Sequence, residues 1–138
     1  MSNQDTVQAL ERLLADSYTL YLKTHNYHWN VTGVMFTTLH TLFETEYTEL
    51  ALAVDEIAER IRAIGAKAPG TYRQFAELSA IKEDTDIPVA KVMIENLVAD
   101  QKTVVEAAKR VVAAAEAAGD QASADLGVRR IELHDKNA

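Results

Sequence analysis

The residue types best suited to chemistry in this sequence are two histidines followed by two carboxylates, at His28, His40, Asp55 and Glu59. Two imidazoles and two carboxylates form a ligand set that suits ferrous iron. On one continuous helix His40 and Asp55 would lie about 22 Å apart, because each residue adds about 1.5 Å. No single metal ion can bind both side chains over that distance. If all four residues serve one site, a second copy of the chain must supply the carboxylates.

The elements that must position these residues are helices, because apolar residues recur every three or four positions along nearly the whole chain. We expect four long helices. The first three cover about residues 5–30, 36–64 and 88–118, and the fourth runs from the capping residue Asp120 to the end of the chain. A short helix is expected at 72–79, between the second and the third. Gly65 and Gly119 follow the second and third of them. A long connection between the second and third helices predicts an all-α, ferritin-like four-helix bundle, in one domain over residues 1–138.

The acidic ligands and His40 do not lie on the core stripe of the second helix. On a helical projection, His40, Glu44, Asp55 and Glu59 form a band about 100° wide, displaced from the apolar stripe by about one residue. An antiparallel, two-fold pairing of second helices would bring His40 and Glu44 of one chain toward Asp55 and Glu59 of its mate. His28 lies just before the intervening turn and can join His40. A di-iron site inside the bundle would instead use Glu-x-x-His motifs, which this chain lacks.

Three other interpretations fit the same residues. His28 alone is typical of a hydrogen-bonded core histidine, and Asp55 and Glu59 are typical of a solvated helix face or of ion pairs with Arg60 or Arg62. A structural helical assembly without metal is therefore one alternative. A site for zinc or manganese is another, because imidazole and carboxylate select weakly among divalent ions. A nucleoid-compacting DNA-binding protein is the third.

Composition limits the function classes further. The chain has no cysteine, which excludes disulfides, thiolate zinc sites and iron–sulfur clusters. It has no apolar stretch of the roughly 18 residues that a membrane span needs. Its start lacks the basic and apolar regions of a secretory signal, so we expect a cytoplasmic protein. The net charge of −7 disfavours nucleic acid as a partner and favours the attraction of cations.

Several blocks of sequence together resemble the Dps family, the dodecameric mini-ferritins, over nearly the whole chain. The blocks are His28-Trp29-Asn30-Val31-Thr32-Gly33, Phe36, Leu39-His40, Asp55-Glu56-Ile57-Ala58-Glu59-Arg60, Gly119-Asp120, Ala124-Asp125 and Ile131-Glu132-Leu133-His134-Asp135-Lys136. The resemblance implies a hollow shell of twelve subunits with tetrahedral symmetry. Such shells oxidise Fe(II), preferring hydrogen peroxide as oxidant, and store ferric mineral inside.

The resemblance also implies roles for individual residues. By matching position, His28 and His40 bind iron from one subunit, and Asp55 and Glu59 bind it from the two-fold mate. Glu44 matches an acidic position that can bind a second, weaker iron.

Other positions match residues around such a site or along the route to it. Trp29 matches a tryptophan beside the site, with radical quenching or interface packing as its role. Asp120 and Asp125 match acidic residues of the three-fold pores, with helix capping and surface solvation as the alternatives. His25 and His134 match no ligand.

Two departures from the family pattern matter. Many members bind DNA through tails rich in Lys or Arg, but the segment before Glu11 has neither, and Arg129, Arg130 and Lys136 fall on the expected fourth helix. This distribution argues against direct DNA binding and favours indirect protection of DNA. The family also typically continues with Trp-Met-Leu where this sequence ends at Ala138, which indicates either a truncated C-terminus or simply the extent of the given sequence.

Overall fold

The computed structural model describes residues 3–138, and these residues form five helices without a strand. The helices are α1 (Asn3–Asn30), α2 (Phe36–Ala63), α3 (Tyr72–Leu78), α4 (Ala90–Ala118) and α5 (Gln121–Asn137). The four long helices and the short helix in the long connection confirm the expected ferritin-like bundle. The boundaries differ from the expected ones by at most two residues, as at the start of α1 and at α4, which begins two residues after Pro88 because Val89 is the extended N-cap.

Local chemistry sets the ends of the helices. Gly65, with a φ of 100°, follows the C-cap of α2 and donates to the carbonyl of Arg62, while the next amide donates to the carbonyl of Ile61. This pair of bonds is a Schellman motif, which requires a left-handed residue. Asp120 caps α5, since its carboxylate accepts from the amide of Ser123 at 3.0 Å. Thr71 and Gln74 form a capping box at the start of α3.

Two helical pairs make up the bundle. The helix α1 packs against α2, α3 and α4, and α4 packs against α5. The fully buried side chains at the centre are mostly aliphatic and include Leu10, Leu13, Leu20, Tyr27, Phe43, Ile57, Ile61, Val104, Ala108 and Val111. Within residues 3–138, none of the helices combines the length and the apolar character needed to cross a membrane.

The long connection between α2 and α4 is attached to α1 by polar side chains. Asp16 is 1% exposed and accepts from the Ser79 hydroxyl at 2.8 Å and from the Ala80 amide at 2.7 Å. Seven residues further along α1, Lys23 donates to the carbonyl of Lys82 at 2.9 Å and pairs with Asp100 on α4 at 2.8 Å. These bonds fix the connection against one face of α1, while α2 packs along α1 from Asn3 beside Ile64 to His28 beside His40.

The apolar stripe of α2, which by its spacing of three and four residues begins at Phe36, is not buried at that first position. Leu39, Phe43 and Ile57 on the same stripe are at most 4% exposed. Phe36, however, is 41% exposed, because it lies at the first residue of α2 and its ring stacks on His40 at a centroid distance of 4.9 Å. The aromatic residue that begins the helix therefore covers a candidate ligand instead of entering the core.

Candidate metal centre

The two candidate histidines meet at the turn between α1 and α2. His28 lies in the last turn of α1 and His40 in the second turn of α2. Their rings stack at a centroid distance of 3.7 Å with an interplanar angle of 19°. Only residues 31–35 separate the two helices, so the short link places both imidazoles side by side.

Reciprocal hydrogen bonds fix the two imidazoles. The Nδ1 of His28 is 2.7 Å from the backbone oxygen of His40, and the Nδ1 of His40 is 2.8 Å from the backbone oxygen of His28. A carbonyl oxygen can only accept, so each Nδ1 carries the proton and donates it. In the neutral ring, Nε2 then presents a lone pair. This is the arrangement that orients metal-binding histidines through their second nitrogen.

Glu44 adds a carboxylate to the pair. It lies one helical turn after His40, and ligand atoms of His28, His40 and Glu44 all lie within 4.8 Å of one another. His28 is 7% exposed, whereas Glu44 is exposed, so the group opens from the bundle toward its surface. Two imidazoles with one carboxylate are a donor set that binds Fe(II) and leaves coordination positions open.

Asp55 and Glu59 do not join this group within one chain. Both are exposed on α2, 15 and 19 residues after His40, and neither belongs to the ligand cluster found among residues 3–138. Their exposure, beside the buried Ile57, agrees with a position on the flank of the core stripe. The separation that the helical rise predicts is therefore present in the folded chain.

Aromatic side chains of both α1 and α2 flank the histidine pair. Tyr47 places its ring edge-on to His28 at 5.1 Å between centroids. His25 stacks on Tyr47 at 4.1 Å and contacts Trp29 at 3.9 Å, while Trp29 remains 60% exposed. Partial burial, followed by the nearby charge of His28, lowers the pKa of His25. The helical spacing of His25 from His28 and Trp29 is the signal that could have placed it here.

The two candidate pore residues have local partners. Asp120 accepts from the Arg60 guanidinium at 2.9 Å as well as capping α5. Burial opposes ionisation of Asp120, but the hydrogen bonds from Ser123 and the charge of Arg60 outweigh it and hold its pKa below the ordinary value. Asp125 is exposed and accepts from the Gln121 amide at 2.9 Å. Both acids thus have the capping and surface contacts that were the alternatives to a pore role.

The arginines of α5 pair with carboxylates of α2. Arg129 contacts Glu56 at 2.9 Å, and the nearly buried Arg130 binds Glu49 through both terminal nitrogens. These pairs tie α5 to α2, and they neutralise two of the cations nearest the end of the chain.

Comparison with known proteins supports the same family from independent directions. Residues 7–138 match the family described as ferritin-like domain. The chain is 38% identical to DNA protection during starvation protein 2 of Bacillus anthracis, over 90% of this chain and 85% of that protein.

Solved structures agree with this match. The crystal structure of Dps from Staphylococcus aureus has a TM-score of 0.94 and 36% identity, covering 98% of this chain and 91% of that one. The Dps protein of Vibrio cholerae O1, described as a member of a broad superfamily of ferritin-like diiron-carboxylate proteins, has a TM-score of 0.92 and 32% identity, covering 96% and 84%. With matching sequence, helical order and overall structure, this chain belongs to the Dps family of ferritin-like proteins.

Proposed function

We propose that the protein is a ferroxidase and iron-storage mini-ferritin whose metal site forms between two copies of the chain. One copy contributes His28 and His40, with Glu44 beside them, and the other contributes Asp55 and Glu59. The observation that carries this proposal is the pair of reciprocal Nδ1–carbonyl bonds, which leaves both Nε2 atoms available as ligands. A histidine pair that served only packing would have no need to hold both rings in the metal-binding tautomer.

The chemistry follows from the charge of the ligands. Fe(II) is the substrate, and the carboxylates of Asp55, Glu59 and Glu44 stabilise the Fe(III) product more than the Fe(II) reactant because its charge is higher. Hydrogen peroxide takes one electron from each of two ferrous ions, its O–O bond breaks, and two protons complete two water molecules. The same ligand set also suits zinc and manganese, so metal analysis of the isolated protein would complement activity.

The proposed assembly is a cytoplasmic dodecamer built from two-fold dimers. A charge of −7 per subunit would attract ferrous ions toward such a shell. Asp120 and Asp125 would line its three-fold pores, and the ion pair between Arg60 and Asp120 reduces the free negative charge there. Trp29, exposed next to His25, would quench radicals or pack against the second subunit.

Protection of DNA would be indirect in this proposal, through the removal of iron and peroxide. The pairing of Arg129 with Glu56 and of Arg130 with Glu49 supports it, because these arginines are already engaged by carboxylates. Phosphate binding would have to compete with those contacts.

The deciding experiment measures Fe(II) oxidation by peroxide and by dioxygen, with the mass of the assembly determined in parallel. We expect His40→Ala and Asp55→Ala to lose most of the peroxide-dependent rate while keeping the mass of the wild type. Asp86→Ala, which removes an exposed carboxylate from the long connection, is the matched control and should oxidise iron as the wild type does. Full activity in the two site variants, or in a monomeric species, would contradict the proposal.

A further inference from the structure

A row of tyrosines from α1 and α2 leads away from the histidine pair. Tyr47 contacts the His28 ring edge-on, at 5.1 Å between centroids. The next ring, Tyr21, is 6.1 Å from Tyr47, and Tyr18 is 5.6 Å from Tyr21. All three tyrosines are half-buried. The row ends where Tyr18 stacks on Phe75 of α3 at 4.8 Å, and phenylalanine is far harder to oxidise than a phenol.

The composition of the chain leaves these phenols among its most easily oxidised side chains, and therefore among its best electron donors. There is no cysteine, and tyrosine and tryptophan are among the most easily oxidised side chains that remain. Electron tunnelling weakens steeply with distance, so rings in or near van der Waals contact exchange electrons far faster than separated ones. The row joins His28, a proposed ligand, to three phenols through successive contacts of this kind.

We propose that Tyr47, Tyr21 and Tyr18 form an electron relay that supplies the second electron when peroxide meets a site holding a single ferrous ion. This inference rests on the proposed ferroxidase function. Peroxide takes one electron from Fe(II) and one electron with its proton from a tyrosine hydroxyl, and the O–O bond breaks. The products are Fe(III), a neutral tyrosyl radical, one water molecule and one hydroxide ion. No free hydroxyl radical is released.

The relay is restored by the next ferrous ion. A second Fe(II) that reaches the site gives one electron to the tyrosyl radical, which takes a proton from solvent and becomes tyrosine again. The sum is two Fe(II) oxidised for each peroxide, the same balance as a site filled with two ions. The tyrosines therefore hold one oxidising equivalent during the interval between the first and the second ion.

The relay is tested by loading the apoprotein with one Fe(II) per proposed site without oxygen, adding peroxide, and freezing the sample for electron paramagnetic resonance. We expect a tyrosyl signal in the wild type, its disappearance after a second equivalent of Fe(II), and loss of most of it in Tyr47→Phe. Tyr72→Phe is the matched control, because Tyr72 is 77% exposed on α3 and lies outside the row. It should keep the full signal. Phenylalanine preserves the ring contacts, so a change in packing would not explain the loss.

Several results would overturn the relay. They are an undiminished tyrosyl signal in Tyr47→Phe, an equal loss in Tyr72→Phe, or a radical confined to tryptophan in the wild type. Failure of the relay is distinguishable from failure of the ferroxidase function. Iron oxidation with two Fe(II) per site that proceeds without any tyrosyl radical after single loading contradicts the relay alone. A wild type that does not oxidise iron, and forms no radical, contradicts both.

Discussion

Histidines of this chain differ in how they use their ring nitrogens, and this difference separates a candidate ligand from a structural residue. His28 and His40 each engage Nδ1 with a carbonyl oxygen and leave Nε2 free. His134 engages both nitrogens: Nδ1 donates to the Gln101 side chain at 2.6 Å, and Nε2 accepts from Arg130 at 2.9 Å. Its ring is fully buried. His134 therefore has no lone pair to offer a metal, in agreement with its lack of a matching ligand role.

The environment of His134 predicts a pH dependence of stability. Burial, and then the charge of Arg130, lower the pKa of His134 to about 3, whereas the unfolded residue takes up a proton near pH 6.5. Between these values the unfolded chain binds more protons at this residue, so the free energy of unfolding falls as the pH falls. We expect His134 to contribute a loss of a few kcal/mol between about pH 6.5 and 3. Urea denaturation at a series of pH values measures it.

His134→Gln separates this effect from the titration of carboxylates. The variant retains a donor and an acceptor but cannot take up a proton, so its stability should start lower at neutral pH and decline less steeply on acidification. Two parallel curves, in wild type and variant, would show that His134 does not titrate on unfolding.

At the scale of elements, the packing of α5 on α4 depends on the absence of one side chain. A Cβ atom at Gly127 would lie 2.8 Å from the Val112 Cγ2 and 3.1 Å from the Ala108 carbonyl oxygen. The valine methyl can turn away, but the carbonyl belongs to the α4 backbone and can move only with its helix. Gly127 thus allows the two helices to approach closely, as its burial within α5 indicates.

Gly127→Ala should therefore destabilise the protein, although alanine is the better helix former. The gain in helix propensity is at most about 1 kcal/mol, while overpacking of a well-filled core costs about 1–3 kcal/mol. We expect a net loss of about 1 kcal/mol, measured by chemical denaturation. Gly70→Ala is the control, because a Cβ there meets nothing within 4 Å and its φ is not positive. An increase in stability for Gly127→Ala would contradict the close contact.

The elements also show which parts of the fold the sequence can predict. The ends of α2 and α5 follow from Gly65 and Asp120, because caps depend on residues a few positions apart. The flank position of Glu44 follows from helical geometry in the same way. By contrast, the contact of Asp16 with the Ala80 amide and the approach at Gly127 join segments distant in sequence. Neither contact can be predicted from a local sequence pattern, because the partners meet only after the chain has folded.

At the scale of the whole molecule, the positions of the candidate ligands on α1 and α2 mean that one chain holds only part of the proposed site. The folded subunit brings His28, His40 and Glu44 together, but it leaves Asp55 and Glu59 exposed further along α2. The imidazole half is thus fixed within the subunit, and in the proposed site a second subunit would complete the ligand set. A two-fold axis would supply each chain's carboxylates to the other chain's imidazoles, giving two sites per dimer.

This arrangement predicts that two inactive variants restore activity when they share a dimer. In a mixed dimer, the Asp55→Ala chain provides intact histidines and the His40→Ala chain provides an intact Asp55, so one of its two sites is complete and the other lacks both ligands. Random association places half of all subunits in mixed dimers, and the rate of Fe(II) oxidation should recover to about one quarter of the wild-type rate. Co-refolding of the two variants, compared with each refolded alone, measures this recovery.

The recovery has a specific alternative that the same samples can detect. If each chain binds iron through its own four residues, every subunit in the mixture still lacks a ligand, and the rate stays at the sum of the two variants. A mixture made only after each variant has assembled measures the recovery that subunit exchange alone produces, and its rate is subtracted from that of the co-refolded sample. Recovery that depends on co-refolding, and that approaches one quarter, therefore requires imidazoles and carboxylates from different chains.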